Sequence, residues 1–209
     1  GHPYSLDPTH RDVEDRLILA DKARLVGDPI AAVVAKDEII AKKALKLIKV
    51  DYEVLPAVFD SQEAAKDDAP KIHEDRKNNI LASSVIDIGN IENEFKNSDF
   101  IFEGEYETSI VQHCQLENQT AYAYVDSDNR IVIVTSTQIP HIVRRIVGQA
   151  LNIPWGRIRV IKPYVGGGFG NKQDVIIEPL TAAMTLAVNG RPVRFSLSRE
   201  EVFIDTRTR

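Results

Sequence analysis

The 209 residues carry a formal charge of -5 and 43% of them are apolar, enough to build the core of one large or two small domains. An acidic balance with dispersed basic residues excludes a broad nucleic-acid surface. The single cysteine, Cys114, excludes an internal disulfide, a multi-thiolate zinc site and an iron-sulfur cluster ligated by this chain alone, since a cluster needs about four thiolates.

No apolar run reaches the roughly 18 residues of a membrane span and the opening GHPYSLDPTH lacks a signal-peptide core, so the chain reads as cytoplasmic, with no membrane partner. It starts without methionine and reads as a segment of a longer protein. Residues 1–15 are polar and irregular, with His2 and His10 as surface residues. Segments 24–26 and 30–35 read as strands around the turn cluster Gly27, Asp28 and Pro29. Asp37 is an N-cap for a helix over 38–48, with Ile39, Ile40, Ala44 and Leu45 in its apolar repeat and Lys42, Lys43 and Lys46 on the wet face. Alternation over 50–54 adds a strand, which completes a small α+β unit.

Residues 59–80 are charged, contain Pro70, and read as a linker or covering segment. His73 lies there beside Glu74 and Asp75, but without a second imidazole it reads as a surface residue rather than a metal ligand. Beyond it, 85–88, 101–110, 121–125 and 131–135 read as strands, the last two joined by a hairpin at DSDNR (126–130). A helix follows over 139–152 with Ile142, Val143, Ile146, Val147 and Leu151 inward. After a strand at 158–161 comes an almost wholly apolar helix over 175–188, in which Pro179 marks a kink or the true start. Gly190 ends that helix and 193–197 makes a last strand. The fold class is α+β.

Between the strand at 158–161 and the apolar helix lies VGGGFGNKQ. Gly166, Gly167, Gly168 and Gly170 put four of the chain's 11 glycines into five positions. Such a loop lets another group approach the backbone closely, and its N–H groups form a concave site for an anion or oxyanion. A tight connection without a ligand fits the glycines equally well. Nucleotide motifs fail on spacing: Lys172 follows Asn171 rather than glycine and precedes Gln173, and the loop gives Gly-x-Gly-x-Gly instead of Gly-x-Gly-x-x-Gly.

With STQ at 136–138 upstream, GRPVR at 190–194 downstream, and the blocks DKARLVGDPIAAVVA (21–35) and KVDYEVLP (49–56) in order, the loop GGGFGNK resembles the molybdenum-binding subunit of the xanthine dehydrogenase and aldehyde oxidase family. The resemblance implies a hammerhead-like α/β domain portion over 1–58, a linker over 59–80, and the N-terminal part of a molybdopterin-binding domain over 81–209. It implies a molybdenum-molybdopterin cofactor, its cytosine dinucleotide form included, with iron-sulfur and FAD centres on other subunits or further sequence. It also implies an oligomeric enzyme that hydroxylates a purine, another N-heterocycle or an aldehyde with water-derived oxygen. The family's general-base glutamate would lie beyond Arg209, so this segment alone is expected to be inactive.

By the same resemblance, Gln138 donates to an oxo ligand of the metal centre, and Gly168, Phe169 and Gly170 cover its ligand face, with no direct metal ligand from this chain. Phe169, Gln173 and Glu117 would face the substrate. Gln173 departs from the glutamate that many xanthine-oxidising members carry, and an amide cannot stabilise charge as a carboxylate does. On residue type alone, Gln138 is also an ordinary polar strand end, Phe169 a core aromatic, and Asp174 a helix N-cap. Cys114 reads as a buried thiol and His113 as a satisfied imidazole rather than a nucleophile pair. A non-catalytic cofactor-delivery or assembly module with a purely structural loop is the alternative.

Overall fold

The computed structural model describes residues 16–74, 76–80 and 83–208; the readings of His2, His10 and Asp75 lie outside them. Contacts divide the chain into two units, one made of the segment up to Asp51 together with Ile110 onward, the other of Tyr52–Ser109.

Helix α1, Glu38–Leu45, starts where Asp37 accepts a hydrogen bond from the Ile40 amide at 2.8 Å. It stops three residues short of the periodicity because Leu47 and Ile48 donate to carbonyls three residues back, a tightening common at helix ends. None of its residues is buried. Within the second unit lie α2, Ser61–Ala64, capped by Asp60, and α3, Ile91–Asn97, capped by Asn90; the periodicity suggested neither. Segment 59–80 is folded on itself by Asn79, whose amide nitrogen donates to the Ala64 and Pro70 carbonyls and whose oxygen accepts from the Ile72 amide.

The expected strands at 24–26, 30–35, 50–54, 85–88 and 101–110 do not form. Among the described residues the first strand is β1, Thr120–Val125. Alternating apolar residues favour a strand only where a neighbour completes the ladder. Val54, Ile86 and Phe102, each more than 80% exposed, lie on stretches that have none.

A four-stranded sheet carries the rest, in the order β3-β2-β1-β4. β1 and β2, Ile131–Thr135, form the expected hairpin, whose turn is held by the Asp126 carboxylate accepting from the Asp128 and Arg130 amides. Helix α4, Pro140–Leu151, crosses from β2 to β3, Ile158–Ile161, which runs parallel to β2. Helix α5, Glu178–Ala187, begins with Pro179 in its first turn, so that proline marks a start and not a kink. β4, Val193–Ser196, closes the other edge against β1.

Ala123, Ile131, Ile133, Val143, Ile146, Val147, Val175 and Ala182 pack into one core between the sheet and helices α4 and α5. A smaller cluster joins Ala121, Ile176, Ile177 and Leu197 to Val202 of helix α6, Arg199–Asp205. Helix α6 was not anticipated, although Ser198 and Glu201 form a capping box at its start, a signal readable as S-x-x-E.

Gly190 sits at φ +77°, and a Cβ there would lie 2.9 Å from Val125 Cβ. Its carbonyl also accepts from the Val125 amide. Gly190→Ala is expected to lower stability by about 1–3 kcal/mol through the left-handed backbone alone, with the Val125 clash adding to it. Urea unfolding measures this, and a loss under about 0.5 kcal/mol would mean the turn relaxes freely.

Candidate functional site

The glycine loop is shaped by the side chains pressed against it. Gly166 donates its N–H to Glu117 Oε2 at 2.7 Å, and the Glu117 N–H returns a bond to the Gly166 carbonyl at 3.1 Å. A Cβ on Gly166 would stand 2.6 Å from that of Glu117, so only glycine admits the approach. Lys172 Nζ donates to the same Glu117 oxygen at 2.7 Å, with the lysine side chain 1% exposed and the glutamate 35%. Glu117 therefore clamps the loop, and a buried ammonium is neutralised by doing so.

On the opposite side, Gln138 approaches so closely that a Cβ on Gly168 would lie 2.5 Å from its Oε1. The Gly170 N–H donates to that oxygen at 3.2 Å, and the Gln138 N–H donates to the Lys172 carbonyl at 2.9 Å. Because Gly170 supplies a donor, the amide must turn its oxygen to the loop, which leaves the NH2 group to face outward as a donor. Phe169 sits at φ +52° and is 63% exposed beside it; it is not a core aromatic.

Behind the loop, Asn171 is fully buried. Its oxygen accepts from the amides of Gln115 and Gln119, and its NH2 reaches Thr206 Oγ1 and the Arg207 carbonyl, both at 2.9 Å. Arg199 holds the same region by donating to the carbonyls of Gln115 and Leu116. The 112–118 stretch, the loop and α6 thus interlock. Asn171, Lys172 and Arg199 as buried or bridging groups were not anticipated; their partners lie 35 to 84 positions away, beyond any local pattern.

Three expectations need correction. The loop opens onto a 3-10 turn, Asn171–Gln173, and not onto the apolar helix, which starts only at Glu178; a full helix terminus does not back the loop. Asp174 is therefore no N-cap. It is buried and paired with Arg207 at 2.9 Å. Cys114 is exposed, because its backbone at φ +52° turns the chain between the half-buried His113 and the buried Gln115. His113 does have partners, with Nδ1 3.4 Å from Gln112 Oε1 and 3.3 Å from Asn171 Nδ2. Gln173 lies half-buried, its amide donating to the Gly170 carbonyl.

Residues 72–209 match the model of the molybdopterin cofactor-binding domain, and residues 2–56 match the aldehyde oxidase and xanthine dehydrogenase a/b hammerhead domain. The chain belongs to the xanthine dehydrogenase and aldehyde oxidase family. It is 48% identical over its whole length to a putative xanthine dehydrogenase molybdenum-binding subunit of Escherichia coli K12, covering 28% of that protein. A probable hypoxanthine oxidase of Escherichia coli O157:H7 is 37% identical over 93% of this chain and 24% of its own. Among solved structures, the aldehyde oxidoreductase of Desulfovibrio gigas superposes on the whole chain with a TM-score of 0.90 at 27% identity, over 23% of its length. The chain spans about a quarter of the length of these relatives.

In this family member the chain leaving the loop carries two buried carboxyls. Burial, opposed by the charges of Arg207 and Arg16, pushes Asp174 up to about 6. Burial also raises Glu178, opposed by the Thr135 hydroxyl, which donates to Glu178 Oε1 at 2.8 Å, and by backbone N–H groups including Ile176. An unfolded aspartate titrates near pH 3.9. The folded state therefore holds more protons between about pH 4 and 6, and the contribution of Asp174 to stability is full below that window and lost as pH rises through it. Asp174→Asn is expected to gain on the parent chain as pH rises from 4 to 7, by roughly 3 kcal/mol at most. Denaturation at a series of pH values measures it, and a pH-independent difference would show that Asp174 titrates normally.

Proposed function

We propose that this segment forms one wall of the molybdopterin site in a molybdenum hydroxylase subunit. The observation that carries the reading is Gln138: the Gly170 N–H donates to its oxygen, which leaves its NH2 as a donor beside an exposed Phe169, over a loop whose glycines let that side chain approach. That donor fits an oxo-bearing, anionic metal complex, and the matched family model is that of a molybdopterin cofactor-binding domain. When bound, that cofactor would supply the redox chemistry for hydroxylation with water-derived oxygen.

Within this reading, Gln138 orients the group through its NH2, while Gly168 and Gly170 let it approach the backbone. Phe169 excludes water and offers a face for a planar substrate. Gln173 contributes a neutral amide to substrate contact. Glu117 serves through the loop it holds rather than by touching substrate, because Lys172 and Gly166 both engage its carboxylate. The substrate is a purine, with other N-heterocycles or aldehydes as the wider class; the names of the relatives support the purine. We place residues 1–58 in a hammerhead portion, 59–80 in a linker and 81–209 in the molybdopterin-binding portion. Iron-sulfur and flavin centres on partner subunits or domains, an oligomer and a cytoplasmic setting complete the proposal. Among the described residues, no helix is long and apolar enough to cross a membrane. The oxidoreductase names of the relatives weigh against a cofactor-delivery module.

The test is molybdenum and pterin content of the subunit that carries this segment, made in a host that synthesises molybdopterin, beside the 209 residues alone. Metal in the subunit and none in the isolated segment is expected. Metal in neither would overturn the proposal, and steady xanthine hydroxylation by the isolated segment would overturn its inactivity.

A further inference from the structure

Behind the site, between the end of β2 and the chain leaving the glycine loop, is a cavity of about 10 Å³ lined by Gln119, Thr135, Ser136, Thr137, Lys172, Asp174, Ile176 and Glu178. Every lining residue but Ile176 carries a polar or charged group. Most of those polar groups are already engaged: Gln119 donates to Asn171, Thr135 to Glu178, Thr137 accepts from the Ile139 amide, and Lys172 donates to Glu117. Two are not. Ser136 Oγ and Asp174 Oδ2 have no hydrogen-bond partner among the described residues, and both are buried, Ser136 at 6% and Asp174 at 4% exposure.

A buried carboxylate oxygen without a hydrogen bond has lost its hydration with nothing in return, so native structures rarely leave such atoms alone. One water needs roughly 10–15 Å³ of space together with two to four polar partners. The cavity meets both conditions at their lower limit. A water donates one O–H to the carboxylate oxygen and accepts from the Ser136 hydroxyl, or donates its second O–H to it, so one molecule satisfies both groups. Larger guests do not fit the volume. Lys172 in the lining argues against a cation, because its ammonium is a positive charge in the same wall.

We infer that this cavity is a built site for one buried water molecule, bonded to Asp174 Oδ2 and Ser136 Oγ. The bridge joins the strand end that carries Gln138, two residues beyond Ser136, to the chain that leaves the glycine loop at Asp174. It adds a further tie between those segments beside the bonds from the Gln138 amide and the Thr137 hydroxyl to the Lys172 carbonyl. The inference does not depend on which cofactor the loop receives.

A high-resolution crystal structure of the assembled subunit that carries this segment tests it, with Ser136→Ala as the paired variant. Expected is one spherical peak within about 2.6–3.2 Å of both oxygens, losing at least half its occupancy in the variant. An empty cavity, a direct Ser136–Asp174 hydrogen bond, or an anomalous peak after a thallium(I) soak that marks a cation would each overturn it. Full occupancy in Ser136→Ala would overturn the role of Ser136. Should the variant fail to fold, the parent structure alone decides the site.

Discussion

Glu117→Ala is expected to destabilise the chain by about 2–4 kcal/mol. Removing one partner of a buried ion pair strands the other charge, typically at about 3–5 kcal/mol. Lys172 is that other charge, with a side chain 1% exposed. The 35% exposure of Glu117 lets water screen part of the interaction, which sets the estimate toward the low end. The Gly166 amide also loses its acceptor. Chemical denaturation measures the loss, and Glu117→Ala with Lys172→Met should recover a good part of it because no charge is then stranded. A single-variant loss under about 1 kcal/mol, or no recovery in the pair, would show that the clamp is not what holds the loop.

Gly168→Ala is expected to have the opposite profile, with little effect on folding and a large one on the site. The new Cβ would meet Gln138 Oε1 at 2.5 Å and Cδ at 2.8 Å, both near the end of a flexible side chain. Gly168 is not among the glycines at positive φ, so alanine fits its backbone. The amide of Gln138 swings away from Gly170 at a stability change within about 1 kcal/mol. Under the molybdenum reading, metal retention in the full subunit should fall by about 10–100-fold, the usual consequence of losing a group that orients a metal centre from outside its ligand shell. Gln138→Ala should match it. Gly156→Ala, where an added Cβ meets nothing within 4 Å, is the control. Normal metal content in both site variants would remove Gln138 from the site.

Helices and turns whose signals are local were legible in the sequence. Asp37 caps α1, Asp126 and Arg130 close the hairpin between β1 and β2, and the apolar stripe of Val143, Ile146 and Val147 turns α4 toward the core. α6 carried a local signal as well, Ser198 with Glu201, but that signal was missed. The four clustered glycines marked the loop, and Gln138 beside it could be proposed from the family's wording. Gln138, 32 positions before Gly170, came from the resemblance alone; the other features depend on residues within about four positions of one another, where backbone geometry and side-chain reach decide the outcome.

Only the tertiary structure decided the rest. Whether 24–26, 50–54 or 101–110 becomes a strand depends on a partner edge, and propensity does not contain that information. Glu117 became a clamp because Lys172, 55 positions away, buries its ammonium against it. Asp174 changed from a presumed cap to a buried carboxyl facing Arg207 because α5 starts four residues later, at Glu178. Charge, burial and hydrogen-bond partnership are properties of the environment that distant segments build together, so a residue's type sets what it can do and the packed fold selects which of those things it does.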